Sequence, residues 1–483
     1  MVTKFHKVLL ACFTLIYTLF ILSYSTSLMA YELNIKNSLG LKLAIPRAVV
    51  IKNVSIVDTL HDGLIPNQDV LIYGKKIASI LPHTSDNKYP KNTLIINGKS
   101  RYLMPSLWDM HVHLSQQTFV DRAALFIANG VTAVRDLNSD CTACRPNQLS
   151  INKMKKVNQL INNNKLVGPK ILAYSSLING FGLTQNEQTI KRYVQQVKEK
   201  GIPFIKTYND LSKSAYITLA KAATAADISI VGHIPNSVTL IEALALGHKT
   251  IEHAKTIPMY CAGDVTQAKK RSVYQFIDAV NNYDSAICLQ SLQAIKSANS
   301  FYVPTHLTVK MPAFITQSPD KIKLAQRYIP YEFLWSWQHE INYYDENPDL
   351  VKKYQQLYQH TLNITGIAHE FGVNIMLGTD ANDIYIIPGF SAHEELSELV
   401  EAGFSTFEAI KAATIIPARF LKLAQQYGSV TVGKFSDLLL LDKNPLENIN
   451  NTRSINTIFY NGRIIEKADI NQIFETLSLN SKN

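Results

Sequence analysis

Met104-Pro105-Ser106-Leu107-Trp108-Asp109-Met110-His111-Val112-His113 carries two histidines, two residues apart, at the end of a short apolar run. In a strand, residues i and i+2 point to the same face, so His111 and His113 aim two imidazoles at one point. Alone, the pair is equally well two polar residues at a strand end. It becomes a metal site only if further ligands converge from elsewhere in the chain. That requirement makes the strand ends downstream the place to search.

Outward from this stretch, residues 105–424 alternate apolar bursts with helical stretches. The bursts are 107–113, 131–137, 170–177, 203–208, 228–234, 250–254, 302–307 and 373–379. Helix-compatible runs lie between them at 121–129, 187–200, 212–226 and 237–246, the last followed by Gly247 as a stop. β-then-α units of this kind predict a (β/α)8 TIM-like barrel, whose chemistry sits at the C-terminal ends of the strands. The interval from Leu307 to Val373 exceeds one helix and predicts an extra helical layer or a lid. Residues 381–389 are read as a mobile or substrate-contacting loop.

The two chain ends have a different texture. Short strands and turns fill residues 31–104, with Asp62-Gly63, Gly74-Lys75-Lys76 and Asn97-Gly98 as turns. Residues 425–483 contain Leu438-Leu439-Leu440-Leu441 and a hairpin-like unit around Asn461-Gly462. Neither set buries both of its faces alone. Together they predict one small composite β-sandwich domain with the barrel inserted in it.

The chain has 483 residues, 46% apolar and 18% charged, with a formal net charge of +10. The lysines are scattered and no aromatic-interleaved basic stripe occurs, which excludes a nucleic-acid footprint. Residues 1–30 read as a signal peptide or an N-terminal anchor. Lys4 and Lys7 precede the apolar run Val8–Leu22, and Ser23–Ala30 is small and polar. Export follows: periplasmic or secreted if the leader is cleaved, membrane-anchored through residues 8–22 if it is not. Cys141 and Cys144 suit a small local disulfide in an oxidising compartment, while Cys261 and Cys288 are isolated in the sequence.

Polar residues close several bursts: His111 and His113 the first, Lys206 the fourth, His233 the fifth, His253 the sixth and Asp380 the eighth. One barrel face brings all six together. Imidazoles and a carboxylate suit zinc, and manganese or cobalt fit the same donors. A buried Lys206 ammonium beside cations is repelled, but its carbamate is anionic and bridges two metals. Two ions about 3.5–4 Å apart activate a hydroxide, with Asp380 taking the proton and relaying it to a leaving nitrogen. With Lys206 unmodified, one ion is the alternative.

This ordered series resembles the amidohydrolase superfamily, in the branch of imidazolonepropionase-like proteins and zinc Xaa-Pro or Xaa-Arg dipeptidases. Its markers are the stretch 104–113, Gly130-Val131-Thr132-Ala133-Val134-Arg135-Asp136, Ile205-Lys206-Thr207-Tyr208 and Gly232-His233. Ile251-Glu252-His253-Ala254, Gly378-Thr379-Asp380, Glu401–Thr414 and Gly433–Leu438 complete them. The resemblance implies His111, His113, Lys206 and Asp380 at the more buried and bridging positions, and His233 and His253 on a second ion. It implies Lys206 as the carboxylated bridge. Tyr208 shares the face of Lys206 and is a substrate candidate, as is His393. Departures are Ser106 and Ser436 in otherwise familiar turns, and Asn382 and Asp383 where the branch carries glycines.

The expected activity is metal-dependent hydrolysis of a C–N bond in a small substrate, a dipeptide or N-acyl amino acid. Alternatives are a cyclic-amide hydrolase or deaminase, and a non-catalytic envelope binding protein on the same fold. The sequence leaves the oligomeric state open.

Overall fold

The computed structural model describes residues 46–140, 149–179, 186–262 and 273–480. The leader, with its apolar run 8–22, and the Cys141–Cys144 pair lie outside the described residues. Every described residue belongs to one compact unit. No described helix is long and apolar enough to cross a membrane.

Strands β1 (Ala48–Val57), β2 (Leu64–Tyr73), β3 (Lys76–Pro82), β4 (Leu94–Asn97) and β5 (Tyr102–Pro105) come from the front of the chain. Strands β14 (Leu438–Leu441), β15 (Ile455–Tyr460) and β16 (Arg463–Glu466) come from its end. They form one sheet in the order β16-β15-β14-β5-β1-β2-β3, with β4 on β1. The seam is β14 against β5, antiparallel, with Leu439 opposite Met104. Ile51, Ile56, Val70, Ile77, Leu103, Leu440, Phe459 and Ile464 meet in one core. Side chains from seven strands reach it, so a continuous sheet curls around its own apolar face. The strands of the two chain ends thus build one composite β unit, as expected, hydrogen-bonded throughout as a single sheet. All four leucines of β14 are buried, because its second face packs on the neighbouring elements. A Cβ on Gly130 would lie 2.7 Å from Leu439 Cδ1.

The middle of the chain supplies a second eight-stranded sheet in the order β13-β12-β11-β10-β9-β8-β7-β6. Its members are β6 (Leu107–Val112), β7 (Val131–Asp136), β8 (Lys170–Ile178) and β9 (Phe204–Thr207). They continue as β10 (Ser229–Gly232), β11 (His248–Glu252), β12 (Phe301–Val303) and β13 (Asn374–Ile375). Every described pairing among them is parallel. β6 and β7 are buried at every position, the pattern of strands covered on both faces. Amphipathic helices cover the outside. The helix Glu187–Glu199 buries Ile190, Tyr193, Val194 and Val197 and is capped by Asn186. Each such apolar side chain contributes about 1.5–3 kcal/mol on burial.

The sheet curls so that its last segment meets its first strand. Met376 N donates to Tyr302 O at 2.9 Å on one side, and Met110 N donates to Leu377 O at 2.9 Å on the other. Asp380 N then donates to His111 O at 2.8 Å. These bonds lay residues 376–381 beside the histidine strand.

Between β12 and β13 lie helices Leu307–Phe314, Pro319–Tyr328, Tyr331–Asp345 and Pro348–Glu370. They form the extra helical layer. Residues 381–389 differ from the expected mobile loop. Tyr385, Ile386 and Ile387 are buried, the Trp337 ring of the layer packs tilted against Tyr385 with centroids 5.0 Å apart, and Asn382 Nδ2 donates to His113 O at 2.7 Å. The apolar Ile386-Ile387 pair and Tyr385 drive this burial. Cys261 and Cys288 are not isolated but joined by a disulfide. It ties the turn after His253 to the helix Ser285–Ser297.

Candidate metal centre

His111 and His113 leave the end of β6 on one face, as the i, i+2 rule requires. The parallel sheet then delivers Lys206 from β9, His233 after β10, His253 after β11 and Asp380 after β13 to the same end. His111 Nε2 lies 3.2 Å from His113 Nε2. Asp380 Oδ1 lies 2.8 Å from His113 Nε2 and 3.3 Å from His111 Nε2. Lys206 Nζ is 3.3 Å from His111 Nε2. The His253 ring centroid is 4.8 Å from that of His111 and 4.9 Å from that of His233. His253 Nδ1 lies 3.5 Å from Asp380 Oδ2. All six predicted ligands thus fall in one cluster.

Local backbone geometry serves this convergence. His253 and Asp380 have φ of 72° and 65°, the left-handed region that β-branched residues avoid. Two glycines make room. A Cβ on Gly378 would sit 2.4 Å from Val303 Cγ1 and 2.8 Å from His111 Cβ. One on Gly232, at φ 100°, would sit 2.7 Å from Lys206 Cγ. Both glycines belong to motifs read in the sequence, Gly378-Thr379-Asp380 and Gly232-His233.

The donor set fits a divalent cation. His111, His113 and Asp380 each offer an atom within 4.8 Å of the others. The triangle of His111 Nε2, His113 Nε2 and Asp380 Oδ1 has edges of 2.8, 3.2 and 3.3 Å. Tetrahedral ligands about 2.0–2.1 Å from zinc stand about 3.3 Å apart. Burial holds His111 down at about 4 against the pull of Asp380 and Glu252. His253 is likewise held well below its ordinary value by burial. Both imidazoles are therefore neutral near neutral pH, the form that ligates a metal. Burial pushes the Asp380 carboxyl up, but the imidazoles of His111 and His113 outweigh it and hold it well below the usual carboxylate range. It stays ionised.

Lys206 is fully buried, and among the described residues no carboxylate pairs with its Nζ. Its neighbours are His111 and the Tyr208 ring, 5.1 Å away. An unpaired buried ammonium costs several kcal/mol.

Tyr208 lies at the rim, half-buried, with its ring 4.5 Å from that of His233. His393 is elsewhere, and its expected substrate contact is corrected. Its Nδ1 meets Thr452 Oγ1 at 2.8 Å and its Nε2 meets the Asn129 carbonyl at 2.9 Å. Both ring nitrogens are engaged by structural partners, tying the helix Phe390–Glu401 to neighbouring segments.

Four residues beneath the cluster had no role in the sequence reading. Asp109 accepts from Thr379 Oγ1 at 2.6 Å, Thr379 N at 3.0 Å and His111 N at 3.2 Å. It pins the Asp380 segment to the histidine strand, and burial pushes its carboxyl up to about 7. Glu252 accepts from His111 Nδ1 at 2.8 Å and from Arg135 Nη2 at 2.8 Å. Burial raises the Glu252 carboxyl, but Arg135 and His111 outweigh it and hold it at about 2. Thr305 Oγ1 meets His253 Nδ1 at 2.9 Å. Asp109, Arg135 and Glu252 stood inside the quoted motifs. Their signal was a charged residue at a strand position otherwise buried.

The model of the Amidohydrolase family matches residues 102–465. Adenine deaminase of Staphylothermus marinus is 33% identical over 92 residues, 18% of this chain and 15% of that protein. The aligned part is thus a small fraction of the relative's length. The structure of bottromycin amidohydrolase superposes with a TM-score of 0.73 at 19% identity, covering 93% of this chain and 94% of that one. A Xaa-Pro dipeptidase solved with methionine in its active site superposes at 0.61 and 18% identity, covering 87% and 100%. At these identities the two structures share the fold. The family model spans most of the chain, including the first and last of the clustered ligands, and the chain belongs to the amidohydrolase family.

Proposed function

We propose that this protein is a metal-dependent hydrolase that cuts a C–N bond, amide or peptide, in a small substrate such as a dipeptide or N-acyl amino acid. The carrying observation is the cluster at one end of the parallel sheet: His111, His113, Lys206, His233, His253 and Asp380. The eight parallel strands are read as a closed (β/α)8 barrel, supported by the backbone bonds from Leu377 and Asp380 to β6.

Two divalent ions, zinc by default, are held in this reading. His111, His113 and Asp380 would hold the more buried one and His233 and His253 the other, and Lys206 as its carbamate would add an anionic donor. A divalent ion held by these residues would supply a lowered proton affinity for water and polarisation of the scissile carbonyl. Asp380, ionised, takes the water proton and passes it to the leaving nitrogen. Tyr208, at the rim beside His233, is positioned to donate a hydrogen bond to a substrate oxygen. The helical layer over residues 381–389 limits the size of what enters.

Export to the cell envelope is part of the proposal. It is supported by the basic-then-apolar start of the sequence and by the Cys261–Cys288 disulfide. The test is purified protein, reconstituted with zinc in bicarbonate, screened against dipeptides, N-acyl amino acids, cyclic amides and aminopurines. Release of an amino acid from dipeptides or N-acyl compounds is expected. Turnover confined to cyclic amides or aminopurines would replace this substrate class, and binding without turnover would favour a binding protein.

A further inference from the structure

We infer that the buried Arg135–Glu252 pair fixes His111 in its Nδ1–H tautomer and so turns the Nε2 lone pair toward the metal position. Arg135 and Glu252 are then positioning residues of the centre. The inference rests on the metal reading of His111 given above.

Glu252 Oε2 lies 2.8 Å from His111 Nδ1. Its other oxygen, Oε1, accepts from Arg135 Nη2 at 2.8 Å and from Thr250 Oγ1 at 2.5 Å. An ionised carboxylate accepts only, so the proton on this edge of the ring belongs to Nδ1. Nε2 is left with its lone pair facing His113, Asp380 and Lys206. The same guanidinium also holds the ligand strand, because Arg135 Nε donates to Met110 O at 2.5 Å. One cation thus sets both the backbone that precedes His111 and the carboxylate that orients its side chain.

Burial makes a purely stabilising role a poor explanation. Arg135, Glu252 and His111 are 0%, 1% and 0% exposed. Replacing a buried ion pair by apolar side chains of similar volume is often neutral or stabilising. What apolar side chains cannot do is choose the tautomer of a neighbouring imidazole. Loss of the outer hydrogen-bond partner of a metal-binding histidine typically changes metal affinity about 10–100-fold. Glu252 precedes His253 in sequence yet serves His111, which stands on a different strand. Of the consecutive residues Glu252-His253, the first therefore orients His111 while the second contributes its own imidazole to the cluster.

The test uses the full chain labelled with 15N-histidine, stripped of metal, with the His111 signal assigned by its loss in His111→Gln. Long-range 1H–15N spectra report the tautomer, and His111 is expected as Nδ1–H. Affinity for Co2+ is measured by competition with a chromophoric chelator in the parent, in Glu252→Gln and in the double variant Arg135→Met with Glu252→Gln. A glutamine amide donates as readily as it accepts, so the lock is lost. Co2+ affinity is expected to fall about 10–100-fold in both variants. The double variant leaves no unpaired buried charge. A parent His111 protonated on Nε2, or a folded variant binding Co2+ within about two-fold of the parent, overturns the inference. If neither variant folds, the tautomer in the parent decides. A parent that binds no Co2+ refutes the metal reading itself, and the inference with it.

Discussion

Asp69 and Asp380 are both buried carboxylates, one in the composite sheet and one at the ligand end of the parallel sheet, and their surroundings have opposite chemistry. Asp69 is enclosed by donors. Asn53 N, Asn87 Nδ2 and His83 Nδ1 each lie 2.8 Å from its oxygens, and Tyr89 OH lies 2.5 Å away. Those bonds tie residues 83–89 to β2 and use up the carboxylate. Asp380 faces the ring nitrogens of three histidines, His111, His113 and His253. With the His111 proton on Nδ1, its Nε2 and Asp380 Oδ1 are two acceptors 3.3 Å apart. Two acceptors at that distance call for a cation or a proton between them. Burial alone therefore does not mark a functional carboxylate; a surplus of lone pairs does.

The contrast is broken most severely at Asp380. Asp380→Asn, with zinc restored and the fold checked by circular dichroism, is expected to lose turnover by about 10²–10⁴-fold or more. Retained turnover removes the proton-transfer role. Lys206→Ala is the next largest, with loss of bound metal and of activity by about 100-fold. Added bicarbonate is expected to raise the activity of metal-stripped parent protein on reconstitution, and not that of the variant. No bicarbonate dependence in the parent counts against the carbamate.

On the other side, Asp69→Asn is expected to leave metal content and turnover unchanged while costing about 1–3 kcal/mol in urea unfolding. A loss of activity without a loss of stability would erase the distinction. His393 sharpens it further. Burial, with Arg453 adding to it, lowers His393 from 6.5 to about 3. The unfolded chain therefore binds the proton that the folded chain refuses, and stability falls as pH drops from about 6.5 toward 3. His393→Gln is expected to flatten this part of the pH–stability curve and to leave metal binding intact. An unchanged curve would mean that its ring is not held neutral.

The parts of this molecule that follow one rule at a time were legible in the sequence. Each of the eight apolar bursts overlaps one of the eight strands of the parallel sheet, because strands buried on both faces read as continuous apolar runs. The polar residue closing a burst, as at His111, His233, His253 and Asp380, stood out against that background. Partners chosen across the sheet were not legible. Glu252 reaches His111 from 141 positions away, and spacing along the chain carries no trace of it. His393 read as a substrate-side residue from its motif, whereas its two partners, Thr452 and the Asn129 carbonyl, are set by tertiary packing alone. The loop 381–389 read as mobile or substrate-contacting from its place after Asp380, but Tyr385, Ile386 and Ile387 find burial under a helical layer whose placement the sequence does not specify. The Cys261–Cys288 bond was hidden for the same reason.

Metal stoichiometry tests the central claim most directly. The protein would be stripped, reconstituted with zinc in bicarbonate, freed of loose metal by gel filtration and measured by inductively coupled plasma mass spectrometry. About two ions per chain are expected for this two-metal reading, falling when Asp380 or Lys206 is replaced and unchanged in Asp69→Asn. A parent chain that retains no zinc, or retains it equally in the Asp380 and Lys206 variants, would contradict the account.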